Sequence, residues 1–206
     1  MKVDISFERL PLWQGVQDKP GVRRSFPFSL GWDPRGFISQ NTANEVFEKV
    51  IKTYAEEDYT HGTKPPGVSE WANRLGDSKI EFVELNYDSL QGKNVIEIGA
   101  GSLYIAEKLT DVHDINQYLV IDPAIQTSTS KDNIKVLRQY FDKSVSFTEK
   151  IDLVIGFSVL EHVPDPVIFL LDLHNKLRSS SGNAILSFPD VEKLLKSGDF
   201  NALAHE

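Results

Sequence analysis

Short apolar runs without polar alternation recur along the second half of the chain. Such runs are typical of parallel strands that are covered by helices on both faces. Most of them end at a glycine, a proline or an acidic residue, where the backbone can turn. We therefore predict the strands of a mainly parallel sheet at residues 94–98, 118–121, 133–137, 151–156 and 184–188.

Apolar residues with helical spacing precede the first of these strands. Thr42 and Glu45 form a capping box, and the apolar positions behind it predict a helix over residues 43–56. A second helix is predicted from Ser69, with its buried face at Trp71, Leu75, Phe82 and Val83. The loop between the two helices is rich in glycine and proline, and it is either part of a lid or a simple connector.

Helical patterns also follow the strands. Asp165 and Pro166 provide a good N-cap and first residue for a helix that runs through Leu177. The polar segment from Ala124 to Asp132 predicts a poor helix or a loop. Strands that alternate with helices predict an α/β fold with a doubly wound sheet.

Residues 1–40 mix aromatic side chains with glycines and prolines and show no sustained period. This pattern predicts an irregular arm that wraps on the body of the protein. The predicted organisation is an arm over residues 1–40, a helical lid over 41–90 and an α/β domain over 91–206.

Composition narrows the partners. The net charge of −8 leaves no basic stripe for phosphate backbones, so we expect a small-molecule acceptor and no nucleic acid. The chain has no cysteine, which excludes disulfides and thiolate metal sites, and we predict no metal centre. It has no apolar run of the roughly 18 residues that span a bilayer, so we expect a cytoplasmic protein without a membrane partner.

The first predicted strand leads into two closely spaced glycines, Gly99 and Gly101. A glycine loop between a strand and a helix is where α/β sheets bind nucleotides. A dinucleotide fingerprint needs a third glycine where Tyr104 stands, which disfavours NAD. Asp122 follows the second strand at the spacing of a carboxylate that binds ribose hydroxyls, which favours an adenosine ligand over a plain glycine turn.

Other candidate residues follow the remaining strands. Phe141 can stack on adenine and Asp142 can accept its exocyclic amine, although a capped surface turn fits the same residues. His162 follows the fourth strand, and a histidine with its ordinary pKa near neutrality suits a general base. Because parallel strands end at one edge of a sheet, we expect these residues to surround one cleft.

Four segments together resemble the class I S-adenosylmethionine (SAM) methyltransferases over about half of the chain. They are Glu97 to Ser102, Val120 to Asp122, Asp152 to Ile155 and Val159 to Pro166. The resemblance implies a Rossmann-like fold and methyl transfer from SAM to a small acceptor by in-line displacement. The cofactor-binding residues that it implies are Glu97, Gly99, Ala100, Gly101, Asp122, Phe141, Asp142 and Phe157.

A finer resemblance is to the C-methyltransferases that act on nucleotide sugars. The stretch Tyr59 to Gly62 is similar to their lid, whereas their distal His-Glu-His motif is present only as Ala204-His205-Glu206, and their cysteine-rich zinc module has no counterpart. This resemblance implies a sugar or nucleotide-sugar acceptor, with Tyr59 and His61 as catalytic candidates beside His162. Two alternatives stay open, namely that His162 only caps a helix and that the protein binds SAM without transferring the methyl group.

The methyltransferase sheet that the sequence resembles has seven strands, with a late antiparallel hairpin over the fifth. Only five strands can be predicted here, so we expect the C-terminal strands to be missing. An uncovered apolar strand at 184–188 exposes unpaired backbone groups, which leads us to expect a covering segment or self-association into a homo-oligomer.

Overall fold

The computed structural model describes residues 4–11, 25–42, 48, 52, 67, 69–125, 129–147 and 149–199. They fall into two compact units, one formed by residues 63–189 and the other by residues 1–62 together with 190–206. The helix predicted over 43–56 lies outside the described residues except for Glu48 and Lys52, and so do Tyr59 and His61.

The unit of residues 63–189 contains a five-stranded parallel sheet. Its strands are β4 (Asn94–Ile98), β5 (Gln117–Ile121), β6 (Ile134–Leu137), β7 (Leu153–Phe157) and β8 (Asn183–Ser187). Their spatial order is β6-β5-β4-β7-β8, and every pair is parallel. The order reverses between β4 and β7, which is the position where open α/β sheets bind ligands.

Helices cover both faces of this sheet. On one face, α1 (Glu70–Asn86) and α2 (Tyr104–Val112) pack on Val95, Val120 and Ile155. On the other face, α3 (Pro166–Arg178) packs on side chains such as Ile96 and Val154, which alternate with the first set along the strands. The predicted doubly wound, Rossmann-like fold is confirmed.

The helix termini agree with the predicted caps. Ser69 accepts a hydrogen bond from the Ala72 N–H at 3.2 Å and begins α1, while Asp165 accepts from Val167 at 2.9 Å and from Ile168 at 3.1 Å and begins α3. The described residues of the segment from Ala124 to Asp132 form turns and no helix, consistent with the predicted loop.

The predicted buried face of α1 is largely wrong. Val83 is buried as expected, but Trp71, Leu75 and Phe82 are exposed, and the small residues Ala72 and Gly76 are buried instead. The buried side of α1 thus combines two small residues with Val83, and only Val83 and the partly buried Ile80 join the main core cluster. Apolar spacing alone did not distinguish which of two apolar stripes the core uses.

The N-terminal residues correct the prediction of an irregular arm. The strands β1 (Asp4–Pro11), β2 (Ser25–Asp33) and β3 (Phe37–Thr42) form an antiparallel sheet in which Phe28 and Leu30 are buried. Pro27 lies within β2 and makes this strand hard to predict from the sequence, because proline usually interrupts the hydrogen-bonded ladder of a sheet. Here it lies where the β1–β2 register shifts between Phe7 and Leu10, so the ladder tolerates it.

A short helix, α4 (Val191–Ser197), belongs to the same unit as this antiparallel sheet. Its Leu195 packs against the Phe28 and Leu30 cluster. Among the described residues of both units, no helix is long and apolar enough to cross a membrane.

Candidate functional site

The loop after β4 has a backbone that only glycine adopts easily. Gly99 has φ of +65° and Gly101 has φ of +66°, both in the left-handed region. A Cβ atom on Gly99 would also collide with the side chain of Val159 from the loop after β7. The loop is therefore fixed by both conformation and packing at the end of the central strand.

Asp122 ties this loop to the end of β5. Its side chain is 6% exposed, and its two oxygens accept hydrogen bonds from the Gly101 N–H at 2.9 Å and the Ala124 N–H at 2.7 Å. Each carboxylate oxygen has a second lone pair, so both can still accept a hydroxyl. Asp122 is thus held in position as an acceptor beside the glycine loop.

Glu97 is buried in β4, two residues before Gly99 of that loop. Its Oε2 accepts a hydrogen bond from the Tyr118 hydroxyl at 2.8 Å, and burial raises the pKa of Glu97 to about 7. The Tyr118 hydrogen bond and the positive charge of Lys79 oppose this rise, while the negative charge of Asp122 adds to it. Glu97 can therefore be neutral or charged close to neutral pH.

Lys79 of α1 extends toward the same edge of the sheet. Its Nζ lies 5.4 Å from the ring centroid of Phe157, the last residue of β7. Burial lowers the pKa of Lys79, while the carboxylates of Glu97 and Glu161 act in the opposite direction. The ends of β4 and β7 thus share a half-buried cation between carboxylates.

The chain turns sharply after β7. Ser158 has φ of +57°, which is uncommon outside glycine, and its N–H donates to the Ser187 carbonyl at 3.0 Å. A short 3₁₀ turn, Leu160–His162, follows and leads to the Asp165 cap of α3. His162 ends that turn, and the capping role belongs to Asp165.

The loop after β6 places Phe141 against α3 and Asp142 in a local turn. Phe141 packs edge-on against Phe169 of α3, with ring centroids 5.2 Å apart. Asp142 accepts from the Ser144 hydroxyl at 2.5 Å and its N–H at 2.7 Å, and these hydrogen bonds lower the pKa of Asp142. This is the turn geometry that was the alternative interpretation.

Tyr140 is an aromatic residue of this loop whose pKa is affected by the Asp122 carboxylate. Burial and, to a smaller extent, the negative charge of Asp122 raise the pKa of Tyr140, although 43% of the residue is exposed. Phe141 packs against the core beside α3. Its neighbour Tyr140 lies close enough to Asp122 to be affected by the charge of that carboxylate.

A model of the family described as "Methyltransferase domain" matches residues 70–205. The match covers the sheet, its helices and every candidate residue from Lys79 to His162. The chain belongs to this family of methyltransferase domains.

A curated relative of this methyltransferase domain is distant in sequence. A ubiquinone biosynthesis O-methyltransferase of Histophilus somni (strain 2336) is 22% identical over 172 residues, which are 74% of this chain and 64% of the relative. The chain thus spans a little under two thirds of that relative's length.

One solved structure contains the Haloferax volcanii Trm112 methyltransferase activator in complex with a proposed methyltransferase. The present chain is similar to a chain of that structure over 52% of its own length and 55% of the other chain, with 19% sequence identity and a TM-score of 0.38.

The structure brings together Glu97, the glycines and Asp122, which the sequence suggested as candidates. It also places Lys79 and Tyr118 near Glu97, and Tyr140 near Asp122, and the sequence did not suggest these three residues. Lys79 had a detectable signal, since it lies three residues after Gly76 and four before Val83 on a helical surface that faces the core. A cation near a buried helix face points to a nearby carboxylate. Tyr140 had no such signal, because either neighbouring aromatic suits the pattern.

Proposed function

We propose that this methyltransferase domain binds SAM at the carboxyl edge of β4 and β5 and transfers its methyl group to a small molecule. The observation that carries the proposal is Asp122, a buried carboxylate tied to the Gly101 N–H with lone pairs left for two ribose hydroxyls. The residues that we propose for the nucleoside are Asp122, Gly99, Ala100, Gly101 and Tyr140.

Tyr140 replaces Phe141 and Asp142 in this proposal. The Phe141 ring is already in contact with Phe169, and the Asp142 carboxylate is used by Ser144. A half-exposed phenol near Asp122 can instead stack on the adenine.

The charged groups at the ends of β4 and β7 suit the amino-acid part of SAM. We propose that Lys79, with Phe157 beside it, binds its carboxylate and that Glu97 faces its positive charges. A half-buried ammonium whose pKa is lowered by burial gains from an added anion, because the anion favours its charged form.

The acceptor atom that we propose is a hydroxyl oxygen, because the Histophilus somni relative is named as an O-methyltransferase. The sugar acceptor of the finer sequence resemblance is the second candidate. When bound, SAM supplies an activated methyl group, so the protein must mainly align the acceptor and remove its proton. We propose His162 for the proton, with Tyr59 and His61 as further candidates.

Calorimetric titration with SAM, S-adenosylhomocysteine and NAD tests the binding site. We expect the first two ligands to bind and NAD not to bind. Gly101→Val should weaken SAM at least tenfold, since valine resists a φ of +66° and projects into the loop. Gly92→Val is the matched control, because Gly92 has the same φ of +66° but open space around it, so it should lose stability and keep its affinity.

NAD binding without SAM binding would contradict the proposal. Transfer is tested separately with labelled SAM and panels of phenols and nucleotide sugars. His162→Gln should abolish transfer and retain SAM binding. A domain that binds SAM but methylates nothing in either panel would support the alternative, a SAM-binding protein without transfer activity.

A further inference from the structure

The outward face of α1 carries large apolar side chains. Trp71 is 57% exposed, Leu75 40%, Phe82 48% and Leu85 77%, whereas Ala72, Gly76 and Val83 on the opposite face are buried. With Ser78 they follow a spacing of four, three, four and three residues, which is the seam of a coiled coil. We name this set the outer stripe: Trp71, Leu75, Ser78, Phe82 and Leu85.

An apolar stripe on the solvent side reverses the usual pattern of a surface helix. Such a helix places its apolar face on the core and its polar face outward. Contiguous exposed apolar patches on soluble proteins mark interaction sites. The seam spacing specifies the type of contact, because it matches another helix packed nearly parallel or antiparallel to α1.

We propose that the outer stripe is a homodimer interface in which α1 packs antiparallel against α1 of a second copy. With the two-fold axis near Ser78, Trp71 of one copy lies opposite Leu85 of the other, and Leu75 lies opposite Phe82. A larger side chain thus meets a smaller one at each level, and serine at the crossing lets the helices approach. The same patch serves both copies, as a two-fold interface requires.

The charges beside the stripe select the antiparallel orientation. Arg74 and Glu81 lie along one edge of the stripe and are both exposed, and Arg74 pairs within the helix with Glu70. In the antiparallel pair, Arg74 of each copy lies opposite Glu81 of the other, so two attractive contacts form. In a parallel two-fold pair, the edge that carries Arg74 and Glu81 would face the opposite edge of the other copy, so neither attractive contact would form.

The size of the stripe sets the strength of the association. Four apolar side chains and their rim give an interface near or below the roughly 1,200 Å² at which stable complexes begin. The dimer should therefore dissociate on dilution.

Sedimentation equilibrium of the full chain over about 5 to 500 μM tests the interface. The unmodified chain should form dimers as concentration rises. Arg74→Glu and Glu81→Arg should each raise the dimer dissociation constant about tenfold, because each change acts twice in a two-fold pair. The double variant should restore dimerisation, and the matched control Arg178→Glu, on exposed α3 surface, should leave it unchanged.

The absence of cysteine allows a second readout. Ser78→Cys should form a disulfide-linked dimer under mild oxidation, whereas Ser179→Cys, an exposed serine outside the stripe, should not. A chain that stays monomeric at the highest concentration overturns the proposal. So does a monomer that loses thermal stability on Leu85→Lys, since another segment of the same chain would then cover the stripe. Failure of the double charge reversal to restore dimers overturns the antiparallel pairing.

Discussion

Asp122 and Asp142 follow neighbouring strands, β5 and β6, and carry the same chemical group. Asp122 is buried and accepts hydrogen bonds from backbone N–H groups of two different loops. Asp142 is exposed and accepts from Ser144, two residues further along the chain. One carboxylate joins parts of the sheet edge, while the other closes a local turn.

The difference follows from how far each acid lies from its strand. Asp122 comes directly after β5 and is held by the ladder itself, since its N–H donates to the Leu137 carbonyl at 3.0 Å. Asp142 comes five residues after β6 ends at Leu137, where the local turn decides its partners. An acid after a strand is thus a candidate ligand mainly when the sheet fixes its backbone.

The largest expected effect belongs to Asp122→Ala. It should cost about 2 to 3 kcal/mol of SAM affinity, because two charge-assisted hydrogen bonds to the ribose are lost. Thermal stability should fall as well, since the Gly101 and Ala124 N–H groups lose their acceptor. Calorimetry and thermal denaturation measure the two effects, and unchanged SAM binding by the folded variant would place the ribose elsewhere.

Glu97 is a third carboxylate to compare with Asp122 and Asp142. It is buried, and among the described contacts no backbone N–H donates to its side chain. Its pKa of about 7 in the fold lies above its ordinary value of 4.5. Between these two values the folded state holds more protons than the unfolded state, so this group makes stability fall as pH rises. The destabilisation is complete above pH 7.

Glu97→Gln should therefore stabilise the protein at pH 8 by on the order of 1 to 3 kcal/mol and change little at pH 5. Glutamine retains an oxygen to accept from Tyr118. Denaturant unfolding at the two pH values measures the difference. Equal stabilisation at both would show that Glu97 does not titrate in this range.

The sequence predicts those parts of the candidate site that depend on the backbone. The two glycines indicate a loop with positive φ, and the position of Asp122 directly after a strand predicts where its carboxylate lies. The sequence does not decide between two neighbours that suit the same pattern, such as Tyr140 and Phe141, or between a ligand role and a local turn for Asp142. The choice between them depends on which side of the loop α3 covers, and that is a tertiary contact.

The same limit explains the errors in the fold. Both stripes of α1 satisfy helical spacing, and the buried one is the stripe with the small residues Ala72 and Gly76 rather than the one with the large apolar side chains. The N-terminal strands were missed because Pro27 lies at a register shift, which sequence alone does not indicate. The sheet itself was predictable, because buried parallel strands leave long apolar runs.

Tyr140 and Phe141 provide the next test, because adjacent aromatic residues should fail in opposite ways. Tyr140→Ala should weaken SAM by about 1 kcal/mol through lost stacking and leave stability nearly unchanged. Phe141→Ala should lower stability by about 2 kcal/mol, because its ring packs on Phe169, and leave affinity nearly unchanged. If Phe141→Ala weakened SAM binding and Tyr140→Ala did not, Phe141 would be the residue that stacks on the adenine.

The smallest expected effect belongs to Asp142→Ala, the counterpart of Asp122→Ala. The Asp142 carboxylate is exposed and its hydrogen bonds are made within the turn, so SAM affinity should stay within the error of the titration. Because these bonds lower the pKa of Asp142, its small contribution to stability exists above the ordinary carboxyl pKa and disappears as pH falls through the lowered value.

Asp142→Asn is the matched control, since it keeps an acceptor for the Ser144 N–H without the charge. If Asp142→Ala weakened SAM as much as Asp122→Ala while Asp142→Asn did not, the carboxyl oxygen of Asp142 would be a ligand group. A site spanning both strand ends would then replace one built on Asp122 and Tyr140.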